Sequence, residues 1–277
     1  MGQIVYTLPE KQAVLGVTLL GEELYLLRSK QDPADQVEVY NVIKHYRLQR
    51  SLTVPNSRRF TDMTSCEHSL CLYISDPGVK GIHRLDLHGN NSAVWPVGEK
   101  PNNLSVNADH NLIVTCRRVG KIKEFSPEGT LLRDVTLPGD VINPWHSIQV
   151  TGGQFIVCHG NDEDPIKGVS LCTVTEDGSY TVRSQGGKPG SDIGQYDGPV
   201  HLAIDAEESV LVADLINRRV TLLSPTLEFI RQVVTADHVK WLPGRLCLDA
   251  ERRRLYVTDN EYKDGKLTAG RVLVLSV

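Results

Sequence analysis

The stretch Gly198–Val234, GPVHLAIDAEESVLVADLINRRVTLLSPTLEFIRQVV, holds four short β-prone runs separated by turn residues. His201 to Asp205 and Val210 to Ala213 are joined by a turn at Ala206 to Ser209, Arg219 to Leu223 follows, and a Ser-Pro turn leads into Phe229 to Val234. Branched and aromatic residues in the runs, with Ser, Pro and acidic residues between them, make an antiparallel meander of four strands. Its middle strands are apolar on both faces, so one such sheet cannot bury itself and needs others of its kind on either side.

The rest of the chain supplies them. The core of the second run, VLVAD at Val210 to Asp214, has counterparts in LYLLR (Leu24 to Arg28), LYISD (Leu72 to Asp76), LIVTC (Leu112 to Cys116), FIVCH (Phe155 to His159) and LYVTD (Leu255 to Asp259). Successive last residues lie 48, 40, 43, 55 and 45 positions apart, and passing from Asp259 through the C-terminus back to Arg28 adds 46. A period in the forties with several strands per unit is the mark of a propeller blade. The chain is therefore expected to be all-β: one six-bladed β-propeller of four-stranded blades spanning residues 1–277, with blades near 10–54, 55–98, 99–139, 140–190, 191–236 and 237–277 plus 1–9. The last unit is one strand short, and Gln3 to Leu8 is a strand without a blade. Pairing the two closes the ring and removes two exposed edges.

Composition agrees. The 23 Gly and 14 Pro are spread throughout, and no helical periodicity lasts beyond about two turns. A net charge of −4 speaks against a globally basic DNA binder while permitting a local basic patch. No apolar run is long enough to cross a membrane and no leader pattern opens the chain. Met1-Gly2 lacks the Ser or Thr at position 6 that a myristoylation motif requires, having Tyr6. The six cysteines, Cys66, Cys71, Cys116, Cys158, Cys172 and Cys247, fall mostly inside apolar strands without CxxC spacing, as free thiols in a reducing, cytoplasmic setting would.

VADLINRRVTLLSPTLEFIRQV closely resembles the NHL repeat, in which an apolar strand ends in Asp, an Asn-basic-Arg triplet opens the next, and a turn precedes an aromatic-containing strand. GKPGSDIGQYDGP, at Gly187 to Pro199, resembles that repeat's glycine-rich lead-in. The terminal Asp has become Cys116 in one blade and His159 in another, and the first blade, with QDPADQ, diverges most. The likeness is nearest to the C-terminal propellers of invertebrate tripartite-motif proteins. It implies a target-selecting domain that binds a protein or RNA, preceded in such proteins by RING, B-box and coiled-coil segments that carry ubiquitin ligation and oligomerisation.

Asp76, Asp214 and Asp259 are expected to cap the turn that follows them by accepting backbone N–H bonds. Loops joining the second strand to the third, and each blade to the next, share one face of the ring, the top. Counting back 13 residues from the end of the second strand gives Asn103, His146 and His201, with Arg245 one residue further back in the next blade. These residues should ring the mouth of the central channel. They could satisfy backbone groups around it, contact a partner, or hold a metal as in lyase- or lactonase-like propellers, for which two histidines are too few unless His159 folds inward. We expect no metal and no cofactor. The same face should carry Arg117, Arg118, Lys121, Arg218 and Arg219, extended by Arg58 and Arg59, against Asp162, Glu163, Asp164 and Asp264. Paired arginines suit phosphate, but few aromatic residues, Trp145 and Tyr262, are placed to stack bases. A protein partner is the first expectation and single-stranded RNA the second. Arg252 to Arg254 lie on the opposite face, in what reads as a solvated turn.

Overall fold

The computed structural model describes residues 2–29, 36–54, 60–88, 92–160, 167–174, 180–187 and 189–277. Arg58, Arg59, Asp162, Glu163 and Asp164 lie outside them. After a lone strand β1 (Gln3–Gln12) the chain forms β2 (Val14–Leu20), β3 (Glu23–Arg28), β4 (Gln36–Asn41) and β5 (Arg47–Thr53), blade 1. Blade 2 is β6 (Asp62–Cys66), β7 (Cys71–Asp76), β8 (Gly81–Asp86) and β9 (Ser92–Pro96). Blade 3 is β10 (Leu104–Val106), β11 (Leu112–Cys116), β12 (Lys121–Phe125) and β13 (Leu131–Thr136). Blade 4 is β14 (His146–Gln149), β15 (Phe155–His159), β16 (Lys167–Val174) and β17 (Tyr180–Gly187). Blade 5 is β18 (Pro199–Ile204), β19 (Val210–Asp214), β20 (Arg219–Leu223) and β21 (Phe229–Val234). Blade 6 is β22 (Leu242–Asp249), β23 (Arg254–Lys263) and β24 (Lys266–Ser276), completed on its outside by β1. Two short 3-10 turns, Arg117–Val119 and Thr151–Gly153, are the only helix among the described residues.

The ring closes where expected, with β1 antiparallel to β24 from Gln3 opposite Ser276 to Gln12 opposite Ala269. The strand runs four residues beyond Leu8, because it continues past a register shift between Leu8 and Lys11. Side chains lock the same seam. Asn260 accepts from the Val14 N–H and donates to the Val14 carbonyl, both at 2.9 Å. Arg28, which ends its strand where other blades have Asp, donates to the carbonyls of Gln12 and Gly270 and to Glu38.

Burial follows position in the blade. The second strands are buried on both faces, as in β7, β11, β15 and β19, because each is sandwiched between neighbouring blades. The outermost strands β5 and β9 are mostly exposed. Among the described residues six apolar clusters form, one at each seam, for example Ile113, Ile122 and Val135 of blade 3 against Phe155, Val157 and Cys172 of blade 4. Nearest the axis there is no room for side chains everywhere: a Cβ on Gly16 would sit 2.8 Å from the backbone nitrogen of Met63 in the next blade. The six cysteines are free, and burial pushes the thiols of Cys116, Cys158 and Cys172 up to about 12, so they pack as small apolar groups. Among the described residues no helix is long and apolar enough to cross a membrane.

The terminal aspartates depart in part from expectation. Asp76 does cap its turn, accepting from the Gly78 N–H at 2.8 Å. Asp214 and Asp259 instead reach back to the loop entering their own blade. Asp214 accepts from the Asp197 N–H, and Asp259 from those of Lys240 and Trp241. Each also takes an arginine from the third strand, Arg219 and Arg271 respectively. The carboxylate thus ties three segments of the blade together at the top.

Candidate functional site

The inner strands bring Asn103, His146, His201 and Arg245 to the upper channel, as their spacing implies, and add a fifth residue, Asp62. The five occupy one structural position, opposite the penultimate residue of the LYVTD-type run: Ser75, Cys158 and Ala213 face Asp62, His146 and His201 in register. Thr115 donates to the Asn103 carbonyl, and Thr258 accepts from the Arg245 N–H. In blade 2 the hairpin is one residue longer, so a fixed count of 13 from Asp76 lands on Met63, a core residue of the blade 1 and 2 seam. The signal for Asp62 was the offset already needed for Arg245.

These side chains bond to one another and to neighbouring blades. Arg245 Nε donates to Asp62 Oδ1 at 2.9 Å and to the Leu15 carbonyl at 3.0 Å, and its Nη2 to the Thr61 carbonyl and Asn103 Oδ1. Asp62 Oδ2 accepts from the Leu104 N–H at 2.8 Å. Asn103 Nδ2 reaches the Val200 carbonyl. His146 Nδ1 accepts from the Leu202 N–H, so its proton sits on Nε2, which donates to the Leu104 carbonyl at 3.0 Å. His201 Nδ1 accepts from the Leu246 N–H, leaving Nε2–H facing Asp62 Oδ2 at 3.9 Å. The two imidazoles stack with centroids 3.9 Å apart. All six blades are joined through this plug.

Its charges resolve into one ion pair and two neutral rings. Burial holds His146 well below the ordinary imidazole value, helped by the neighbouring His201, and lowers His201 although Asp62 opposes it. Burial works against ionisation of Asp62 too, but the Arg245 guanidinium, with smaller help from His201 and His146, outweighs it and keeps the carboxylate low.

Asp62, His146 and His201 offer three donor atoms within 4.8 Å of one another, the minimum for a metal site. They do not fit one. Both nitrogens of His146 already bond to backbone, and a divalent cation on Asp62 would meet the charge of the Arg245 guanidinium, which lies 2.9 Å from that carboxylate. His159 does not fold inward to help; its Nε2 bonds Ser170 Oγ at 2.8 Å inside the blade.

The five basic residues expected on the top face separate into different roles. Arg117 lies 3.6 Å over the Trp145 ring, whose Nε1 donates to the Gly160 carbonyl, so both are packed into the next blade. Lys121 pairs sideways with Asp134 of β13. Arg218 donates to the Val239 and Trp241 carbonyls in the loop entering blade 6. Arg219, already on Asp214, donates to the Ser191 and Gln195 carbonyls of the glycine-rich lead-in. Only Arg118 of the set is exposed. Four of the five therefore do not form an open phosphate-binding patch, because their donors or charge are taken up by the protein itself.

What the sequence reading missed is apolar. The described loops after β7, β11 and β19 each raise one hydrophobic side chain two or three residues past the strand end, Val79, Val119 and Ile216, exposed by 39, 42 and 44%, and Tyr262, already named for stacking, stands 60% exposed near the end of β23, three residues past Asp259. Ile193, 71% exposed, joins them from the lead-in loop that Arg219 shapes. An apolar side chain two or three residues past the LYVTD-type run in four of the six units was a readable signal, since loop residues without a packing role are ordinarily polar.

No protein-family profile matches the chain, and no curated protein sequence matches it significantly. Among solved structures it is similar to a provisionally named gluconolactonase, at a TM-score of 0.65 and 14% identity over 99% of this chain and 91% of that one. It is also similar to virginiamycin B lyase from Staphylococcus aureus, at 0.62 and 10% identity over 98% and 99% of the two chains. The Cps50 (Swd1) β-propeller domain of Myceliophteria thermophila matches at 0.63 and 12% identity over the whole of both chains. At such identities the likeness shows the fold, a closed propeller, which enzymes and non-enzymatic proteins share.

Proposed function

We propose that this propeller is a non-enzymatic recognition module whose top rim holds a protein partner. The observation that carries the reading is an inversion of the usual placement. The polar groups of the channel are spent on one another, while apolar side chains stand exposed at matching places around the rim. Protein interfaces are built on such apolar anchors within a polar surround. With Arg218 and Arg219 bound to backbone carbonyls, RNA recognition would depend on few exposed cations and would be weak and salt-sensitive. The NHL-like repeat extends the proposal to a target-selecting domain of a longer protein carrying RING, B-box and coiled-coil segments.

A photo-crosslinking residue placed at Val119 or Ile216 should capture one discrete protein from cells, and Tyr262→Asp should abolish that capture. Equal capture from Ile43, on the opposite face, would remove the assignment. Retarded migration of single-stranded RNA at moderate salt, unaffected by Tyr262→Asp, would favour the RNA alternative.

A further inference from the structure

The bottom of the closure seam carries a second site. A cavity of about 380 Å³ opens there between blades 6 and 1, lined by Val5, Tyr6, Val42, His45, Tyr46, Arg252 and Arg254. That volume falls in the range of small-molecule sites. Its walls come from three segments distant in sequence: β1, the turn between β4 and β5, and the turn that opens β23.

Two kinds of chemistry meet in it. The rings of Tyr6 and Tyr46 stack at 4.7 Å, and Tyr46 in turn meets Tyr256 edge-on at 6.3 Å, so the aromatic wall is anchored in the seam. Tyr46 is aimed by an unusual turn. His45 and Tyr46 are consecutive left-handed residues, at φ 49° and 54°, where Gly or Asn is the ordinary choice. The other wall is cationic. Arg252 is largely neutralised by Asp249 at 3.2 Å. Arg254 has no carboxylate within ion-pair distance among the described residues, and its guanidinium has one long hydrogen bond, 3.3 Å to the Arg253 carbonyl. Lys44 and Arg47 flank the turn, and Glu251 pairs with Arg252 at 3.5 Å.

We infer that this cavity binds a nucleoside monophosphate, its base against the Tyr6–Tyr46 wall and its phosphate on Arg254 with His45 beside it. A guanidinium fork matches two phosphate oxygens, and a flat base stacks on a tyrosine face. A phosphate alone would leave the aromatic wall unused, and a neutral ring would leave Arg254 unpaired. The site lies opposite the top rim, so it stands or falls independently of the protein-recognition reading.

Calorimetric titration of the whole protein with adenosine 5′-monophosphate should show one saturable site. Adenosine and inorganic phosphate should each bind at least about tenfold more weakly, the loss of a charge-assisted hydrogen bond or of a stacked ring. Arg254→Gln should weaken the nucleotide by about tenfold and leave adenosine unchanged. Tyr6→Leu, at an exposed position that keeps an apolar side chain, should weaken nucleotide and adenosine alike. It decides the matter if Arg254→Gln does not fold. Nucleotide binding no tighter than phosphate, binding unaltered in both variants, or tighter binding of phosphotyrosine would each overturn the assignment.

Discussion

The channel and the rim of this propeller lie within one face and use their side chains in opposite ways. In the channel, five polar residues that look reactive are satisfied by one another and by backbone groups of other blades, so that charge serves closure. On the rim, hydrophobic residues that would ordinarily be buried stand in solvent, Ile193 among them on a lead-in loop pinned by Asp214 and Arg219. In a ring fold, then, a cluster of ionisable residues near the axis is weak evidence for chemistry until its hydrogen bonds have been followed, and exposed apolar residues at similar places in several blades are the better pointer to a partner.

The largest test of that contrast is Arg245→Met. It strands Asp62 as a buried unpaired carboxylate and removes links to three other blades, so we expect a loss of about 3–5 kcal/mol in urea unfolding. A loss below about 1 kcal/mol would mean that the plug does not hold the ring. Next come two arginines that sequence treats alike. Arg219→Ala should cost about 1–3 kcal/mol by freeing Asp214 and the lead-in loop, whereas Arg118→Ala should change stability by less than about 0.5 kcal/mol. Equal effects would erase the distinction between the bound and the exposed arginine.

A smaller effect concerns pH. His146 and His201 have folded values below the unfolded imidazole value of about 6.5, so the unfolded chain binds more protons as the medium acidifies. Stability conferred by keeping them neutral is complete above that value and is lost as pH falls below it toward the folded values. The urea midpoint should therefore drop between pH 7 and pH 5, and His201→Gln should flatten the dependence. A midpoint that rises on acidification would contradict the neutral-ring assignment. Least of all in stability, Ile216→Asp and Tyr262→Asp should change the unfolding free energy by less than about 0.5 kcal/mol while eliminating partner capture; a large destabilisation would show these side chains packed and not presented.

Much of this was legible in the chain. Four strands per unit and closure by the N-terminal strand follow from LYVTD-type runs and their spacing, because a strand buried on both faces must be apolar throughout. Asn103, His146, His201 and Arg245 could be brought to one ring by counting, since hairpins of near-equal length repeat the same register. Asp62 escaped because a single extra residue in its hairpin defeats a fixed count. The roles of Arg117, Lys121, Arg218 and Arg219 escaped for another reason. Their partners, the Trp145 ring, Asp134 and the carbonyls of other loops, are chosen by approach in space and leave no trace in local pattern. The triple arginine at Arg252 reads as a solvated turn, and only the arrival of Tyr6 and Tyr46 from the other end of the chain makes two of its members the wall of a cavity.

Sequence alone thus determined the architecture: blade number, strand order, ring closure and the identity of four of the five polar residues that meet at the axis, all of which follow from periodic burial. Tertiary structure alone decided which of those residues are free to act. Hydrogen bonds saturate, and whether His146 or Arg219 has a donor or acceptor left over depends on what other blades place within about 3 Å of it, a distance that no spacing along the chain encodes.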